Sequence, residues 1–266
     1  MVAMASFFRC GTAAAVLLVL MVASAEAGNF KTGDWIAAHA TFYGDSSGLS
    51  DDMGGACGYS NMQAIGFGTN TAALSTPLFD NGKGCGGCFE IRCYSSKYCL
   101  PGATSVIVTG TNLCPPNYDE NPDAGNGGWC NPPRLHFDMA MPSWLSIGQY
   151  EGGIIPVMYR RVPCQRSGGV KFKFSGNAYW LLVYLINVGG PGDADGVWVK
   201  GDKTDWIAMS RNFGAAWQAF SNLGGMGLSF KIQAHSSDDT IICNGVADAG
   251  WSGGVTYQAP NNFDTN

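Results

Sequence analysis

The sequence predicts a mainly β protein built as two successive units, the first stapled by disulfides and the second a β-sandwich. Apolar residues recur with period two along most of the chain, and no long stretch of helical period interrupts them. Only 13% of residues are charged, while there are 38 glycines and 12% aromatics; ordinary globular domains carry about 25% charge. That is the composition of a loop-rich secreted β protein. Of ten cysteines, Cys10 lies near the start, eight fall between Cys57 and Cys164, and Cys243 alone lies beyond. The first unit therefore relies on covalent staples and the second on its own core.

The first 27 residues read as a leader. Arg9 precedes an apolar run from Ala13 to Ala23, and Ala25-Glu26-Ala27 has the small-x-small form of a secretory cleavage site. The mature chain is expected to start near Gly28, with units at 28–167 and 168–266. The leader is too short to span a bilayer, and no later stretch reaches the roughly 18 uninterrupted apolar residues of a membrane helix. A secreted, extracellular protein without a transmembrane segment follows. Cleavage removes one base and one acid, so the formal charge stays at −5. Such a surface argues against nucleic acid, which requires clustered Lys and Arg.

Along the first unit, the strand after Trp35 alternates, with Ala38, Ala40 and Phe42 on one face and His39, Thr41 and Tyr43 on the other. Asp45 to Gly55 reads as a loop rich in glycine and acid. Ala72 to Phe79 is ambiguous, Cys88 to Cys93 alternates, and Thr104 to Thr109 is β-branched enough for a central strand. Ser143 to Ile147, after Pro142, reads as the one short helix of this unit, and Ile154 to Val162 as its last strand. Gln165-Arg166-Ser167-Gly168-Gly169 reads as a hinge. Beyond it Val170, Phe172 and Phe174 alternate with Lys171 and Lys173, and Leu228, Phe230 and Ile232 with Ser229 and Lys231. Strand-like stretches at Tyr179 to Val188, Val197 to Lys200 and Trp206 to Met209 lie between them, giving a β-sandwich. Cys85-x-x-Cys88 with Cys93 and Cys99 has a spacing that could hold zinc, but in an oxidising compartment and without a nearby histidine disulfides are favoured. Cys243, in a β-type run, is expected as a buried free thiol.

The candidate site centres on Leu135-His136-Phe137-Asp138-Met139. Alternation places His136 and Asp138 on one face and the three apolar residues on the other. Upstream, Gly125 to Pro133 forms a glycine-rich loop carrying Trp129. A carboxylate on a strand beside such a loop points to carbohydrate chemistry, or else to an aspartate that ties down a loop. No phosphate loop, nucleophile elbow or metal cluster is visible, and no cofactor is expected.

Several motifs, in this order, resemble the plant expansins along the whole mature chain: Thr41-Phe42-Tyr43-Gly44, Gly54-Gly55-Ala56-Cys57-Gly58-Tyr59, Cys85-Gly86-Gly87-Cys88-Phe89-Glu90-Ile91, His136-Phe137-Asp138, Asn187-Val188-Gly189-Gly190 and Met209-Ser210-Arg211-Asn212. Cys114-Pro115-Pro116-Asn117 with Trp129-Cys130-Asn131-Pro132-Pro133 resembles the α branch. The resemblance implies a six-stranded double-psi β-barrel, like that of family-45 endoglucanases, followed by an immunoglobulin-like sandwich that binds cellulose. It implies a monomer that loosens plant cell walls without hydrolysis, acting on cellulose and matrix glucans such as xyloglucan and favoured in acid. It also implies disulfides Cys57–Cys85, Cys88–Cys164 and Cys93–Cys99, with Cys114 and Cys130 pairing as an extra. Thr41, Tyr43, His136, Trp129 and Asp138 would line the barrel site, His136 supporting Asp138. Tyr179, Trp180 and Phe213 would form an aromatic platform, with Trp206 and Trp217 further candidates and Trp217 favoured as core. Phe213 stands where the family has tryptophan, and Met139 where leucine is usual, a volume-conserving exchange.

Asp138 matches the acid of the related endoglucanases. Hydrolysis requires a second carboxyl about 5–9.5 Å away, and the strand that would carry it reads His39-Ala40-Thr41-Phe42-Tyr43. Asp51 and Asp52 would have to come from a glycine-rich loop, a poor holder for a base. Non-hydrolytic disruption is therefore expected ahead of an endoglucanase or a plain polysaccharide-binding lectin. Burial would raise the Asp138 pKa and a charged His136 would lower it; the resemblance favours the former.

Overall fold

The computed structural model describes residues 30–48, 55–119 and 128–265. The expected leader, the acids Asp51 and Asp52, and the Gly125-Asn126-Gly127 part of the glycine-rich loop lie outside the described residues. The first unit contains strands β1 (Ile36–Tyr43), β2 (Thr71–Leu74), β3 (Cys88–Cys93), β4 (Val106–Leu113), β5 (His136–Ala140) and β6 (Ile155–Val162). They close into a barrel in the order β1-β5-β2-β4-β3-β6, with β1/β5 and β2/β4 parallel and the other pairs antiparallel. Alternation sends Ala38 and Ala40 of β1 and Ala72 of β2 inward. These small side chains leave room for Phe89, Phe137, Trp144 and Tyr159 to fill the lumen.

Among the described residues three short α-helices interrupt the barrel strands, where the sequence suggests one: α1 (Met62–Ile65), α2 (Thr76–Phe79) and α3 (Met141–Trp144). The expected helix at Ser143–Ile147 begins earlier, because Pro142 belongs in its first turn, where its missing N–H is no loss. The ambiguous stretch from Ala72 resolves into β2 followed by α2, the break falling just before Pro77. Four disulfides join Cys57 to Cys85, Cys88 to Cys164, Cys93 to Cys99 and Cys114 to Cys130. In the chain-entropy account, the 76-residue separation closed by Cys88–Cys164 contributes roughly 4–5 kcal/mol.

The second unit contains β7 (Lys171–Asn177), β8 (Trp180–Ile186), β9 (Gly196–Gly201), β10 (Ile207–Phe213), β11 (Ala216–Ala219), β12 (Leu228–Gln233), β13 (Thr240–Ala247) and β14 (Thr256–Gln258). They form one sheet in the order β13-β12-β9-β10-β11-β8-β7-β14. Its two halves enclose a single core, in which Phe172 of β7 stacks on Phe230 of β12 at 4.5 Å. The turn from one half to the other falls at β10–β11, where the register shifts between Arg211 and Phe213. Among the described residues no helix is long and apolar enough to cross a membrane.

The two units share a seam. Cys57, Tyr59, Met62, Phe67 and Cys85 of the barrel pack with Ile186 and Ala215 of the sandwich. Around this apolar patch, Arg211 donates to Gly82 O at 3.3 Å and to Ala194 O, and Ala215 N donates to Cys57 O at 3.0 Å. Arg161 lies 3.0 Å from the fully buried carboxylate of Asp193, and its N–H groups aim at Pro191 O, 2.6 Å away, and at Ser236. Asp193 in turn accepts from the amides of His235 and Ser236. His235 stands 3.6 Å from Asp80 of the barrel and 3.7 Å from Asp195. The stretch that reads as a hinge is tied down as well. Asn187 Nδ2 donates to Ser167 O and Gly169 O, and Asn262 Nδ2 to Gly168 O.

Removing one member of a buried ion pair strands the other. Arg161→Gln is expected to lower unfolding stability by about 3 kcal/mol, checked by urea unfolding; a change under about 1 kcal/mol would show that Asp193 is satisfied by backbone amides alone. Burial pushes the Cys243 thiol up to about 12. Thiol titration of a chain starting at Gly28 should therefore find no reactive sulfhydryl natively and one after unfolding.

Candidate functional site

Parallel pairing of β1 with β5 sets Thr41 opposite Asp138 and His39 opposite His136. Because Ala40, Phe137 and Met139 are held inward by the core, these four polar residues share the outward side of the barrel. Thr41 Oγ1 donates to Asp138 Oδ1 at 2.7 Å and lies 2.8 Å from His136 Nε2. A hydroxyl donates one hydrogen bond, and here the carboxylate accepts it. His136 must then donate from Nε2, which assigns the neutral Nε2–H tautomer. Its Nδ1 is buried without a hydrogen-bond partner. Burial, helped by the nearby charges of His39 and Arg134, lowers the His136 pKa to about 4. The imidazole is thus neutral across the neutral and mildly acid range. A charged His136 depressing the Asp138 pKa, one of the two opposing effects considered from sequence, does not operate there.

Trp129 covers this group. Its ring lies 6.2 Å from His136, nearly parallel, and 5.3 Å from His39, with the Arg134 guanidinium 4.9 Å above the indole. The loop is anchored by Cys114–Cys130 and by Asn131, which accepts from Asn117 N at 2.6 Å and donates to Asn117 O at 3.0 Å. Tyr43 stands two residues beyond Thr41 on the same outward side, in register with Ala140. The outward positions of β1 hold His39, Thr41 and Tyr43, none of them an acid.

From Asp138 the surface continues strand by strand toward the sandwich. Asp138 is paired with Ala73 of β2, and Ala73 with Asn112 of β4. Asn112 Oδ1 accepts from Ala56 N at 2.7 Å and so fixes the 55–58 loop. Gly58, at φ 80, presses that loop onto the sandwich: a Cβ there would sit 2.8 Å from the Tyr184 ring and 3.0 Å from Phe213. Only glycine fits this conformation and this approach.

Outward positions of β8 then carry Trp180 and Tyr184, four residues and about 13 Å apart. Tyr184 meets Phe213 edge-on at 6.0 Å, and Trp180 lies parallel to Phe220 at 6.5 Å. Gln218 Oε1 steadies the row by accepting from Trp180 Nε1 at 3.2 Å and from Asn212 at 2.8 Å. Phe213 and Phe220 are exposed, and Tyr179 lies 69% exposed beside the row. Trp217 is buried beneath the Arg211 guanidinium. Trp206, a further platform candidate from the sequence, is elsewhere, between Lys200 and Lys231 on the outer face of the other half-sheet. Tyr184 and Phe220 escape the sequence reading. Period two in Trp180-Leu181-Leu182-Val183-Tyr184 marks Tyr184, whereas Phe220 follows a strand too short to be read.

Comparison with known proteins agrees with this architecture. A sequence profile described as "Expansin C-terminal domain" matches residues 170–247, and one described as "Lytic transglycolase" matches residues 71–159. Expansin-A7 of Arabidopsis thaliana is 53% identical over 93% of this chain and 94% of its own. Putative expansin-A30 of Oryza sativa subsp. japonica is 53% identical over 88% of each. The crystal structure of an apo expansin from Clavibacter michiganensis superposes with a TM-score of 0.65 at 18% identity, covering 87% of this chain and 98% of that one. A mutant of that protein in complex with cellohexaose gives a TM-score of 0.64 at 17% identity, over 87% of this chain and 98% of that one. At these identities the two structures show a shared fold.

The buried imidazole has a consequence for stability. In the unfolded chain His136 titrates near 6.5, in the folded chain near 4. Between these values the unfolded state binds a proton that the folded state excludes, so stability falls as pH falls through this window, by about 3 kcal/mol in all. Thermal midpoints measured from pH 7 to 4 should therefore drop, and His136→Gln, which keeps an N–H donor but cannot titrate, should flatten that part of the curve. An equal drop in both proteins would rule out His136 as its source.

Proposed function

This chain belongs to the plant α-expansin family, and from that premise we propose that it is secreted to the cell wall and loosens it as a monomer, without hydrolysis, by separating matrix glucans such as xyloglucan from cellulose. The observation that carries this reading is the succession of paired and contacting residues that leads from Thr41 and Asp138, past Asn112 and the 55–58 loop, to Tyr184, Phe213, Trp180 and Phe220. Aromatic faces suit the apolar faces of sugar rings, each adding about 1 kcal/mol, and the open row accommodates a polymer rather than a small molecule.

At the barrel end, the Thr41 hydroxyl donates to Asp138 Oδ1 and so orients the carboxyl group. The carboxyl accepts from a sugar hydroxyl when ionised, and donates to a glycosidic or hydroxyl oxygen when protonated. Cleavage would require a second carboxyl on the facing strand to serve as base or nucleophile. The residue facing Asp138 there is Thr41, whose hydroxyl already donates its hydrogen bond to the same carboxylate. Chain separation needs only binding energy that is larger for a glucan held away from its neighbours than for one hydrogen-bonded among them. The cellohexaose complex of the Clavibacter michiganensis mutant supports a glucan as the ligand class.

Heat-inactivated wall strips under load should creep when the protein is added, faster as pH falls, with no reducing sugar released from cellulose or xyloglucan. Asp138→Asn should lose most of the creep and its pH dependence together. Sugar release that disappears in Asp138→Asn would overturn the reading in favour of an endoglucanase. Wild-type creep in that variant would leave Asp138 a structural residue. Trp180→Ala with Tyr184→Ala should cut retention on insoluble cellulose about tenfold, at about 1 kcal/mol or slightly less per ring. Unchanged retention would remove the aromatic row from the site.

A further inference from the structure

The outward face of β7 and β8 continues past the aromatic row into a groove walled on its far side by the 60–66 segment of the barrel. Two adjoining hollows form it, of about 350 and 380 Å³, which share Ala64, Ile65 and Lys171. Period two along β7 sends Phe172 and Phe174 into the core and Lys171 and Lys173 outward into this groove. Arg166 adds a third cation at the far end, bonded through Nη2 to Thr109 at 2.7 Å. No carboxylate lines either hollow, although the chain as a whole carries a formal charge of −5.

Among the described residues, Lys83, Arg160 and Arg161 are engaged in ion pairs, and neither Lys171 nor Lys173 is. Two ammonium groups on alternate positions of one strand face repel each other, and an anion lodged between them relieves that repulsion while gaining from both. The groove also borders the glucan surface directly. Lys173 is in register with Tyr184, and its Nζ lies 6.0 Å from that ring. Ser60, Asn61 and Thr256 supply neutral polar groups beside the lysines, suited to sugar hydroxyls.

We propose that this groove receives the carboxylate of a uronosyl branch on a matrix polysaccharide whose backbone lies along the aromatic row. The inference rests on the reading of that row as a glycan platform. It assigns the second unit a preference among wall polymers: a neutral backbone is held by the rings, and an acidic substituent is held by Lys171 and Lys173.

Calorimetry with the full mature chain tests this using cellohexaose, xylohexaose, and xylohexaose bearing one glucuronosyl branch. At low ionic strength the branched oligosaccharide should bind about tenfold more tightly than the unbranched one, as expected for a charge-assisted contact that salt weakens. The advantage should collapse in high salt and in Lys171→Gln with Lys173→Gln, while cellohexaose affinity is unchanged in that variant. Equal wild-type affinity for the two xylohexaoses overturns the inference. So does an equal loss of cellohexaose and branched-oligosaccharide affinity in the variant, which would make the lysines part of the platform itself. Wild-type protein that binds no neutral oligosaccharide refutes the platform, and this inference falls with it.

Discussion

The register of β1 against β5 is the constraint on which the rest of the barrel site depends. Side chains alternate across a strand, so a slip of one residue would turn Thr41 into the core and set Ala40 against Asp138. The slip is opposed on every side: Ala40, Phe137 and Met139 are fully buried, β1 is held on its other edge by β6, and β5 by β2. Apolar packing inside the barrel thus enforces a polar geometry outside it. The hydrogen-bonded series from His136 through Thr41 to Asp138 costs little to organise, because each member is already placed by the strand that carries it.

A second requirement is that the two outward surfaces stay in line, and this is met by arginine. Arg161, Arg166 and Arg211 each lay a guanidinium over a ring, Phe89, Phe67 and Trp217 respectively, at 4.9, 4.5 and 4.3 Å. The edges of the same groups remain available, to Pro191 O, Thr109 and Ala194 O. A planar group with donors around its rim can stack and donate at once, which an ammonium cannot do in a fixed direction. With Gly58 against Tyr184 and Phe213, the seam brings the aromatic row to the end of the barrel surface.

The charges of the chain are distributed unevenly. Asp80, Asp193 and Asp195 lie at the seam, facing Arg161, Lys83, Arg211 and His235. Lys171 and Lys173 face the groove beside the row. His136, in contact with the same hydroxyl as Asp138, is kept uncharged by burial. A net charge of −5 therefore describes no single face of the molecule.

Much of this was legible in the chain itself, because it depends on local rules. Period two showed which faces of β1, β5, β7 and β12 are buried, and so showed that Thr41, His136 and Asp138 point outward and Phe172 and Phe230 inward. The cysteine distribution marked the stapled unit. What alternation cannot reveal is which strands become neighbours. That Thr41 reaches Asp138, 97 residues away, is a property of barrel closure, and the burial that keeps His136 uncharged is likewise a product of tertiary packing. Tyr184 and Phe220 lie in the aromatic row, Trp206 lies apart from it, and a stretch that reads as a hinge is tied down, because each outcome is set by contacts between distant segments. Local sequence determines which way a side chain points; only the closed tertiary packing determines what it meets, how dry that place is, and hence its protonation and its use.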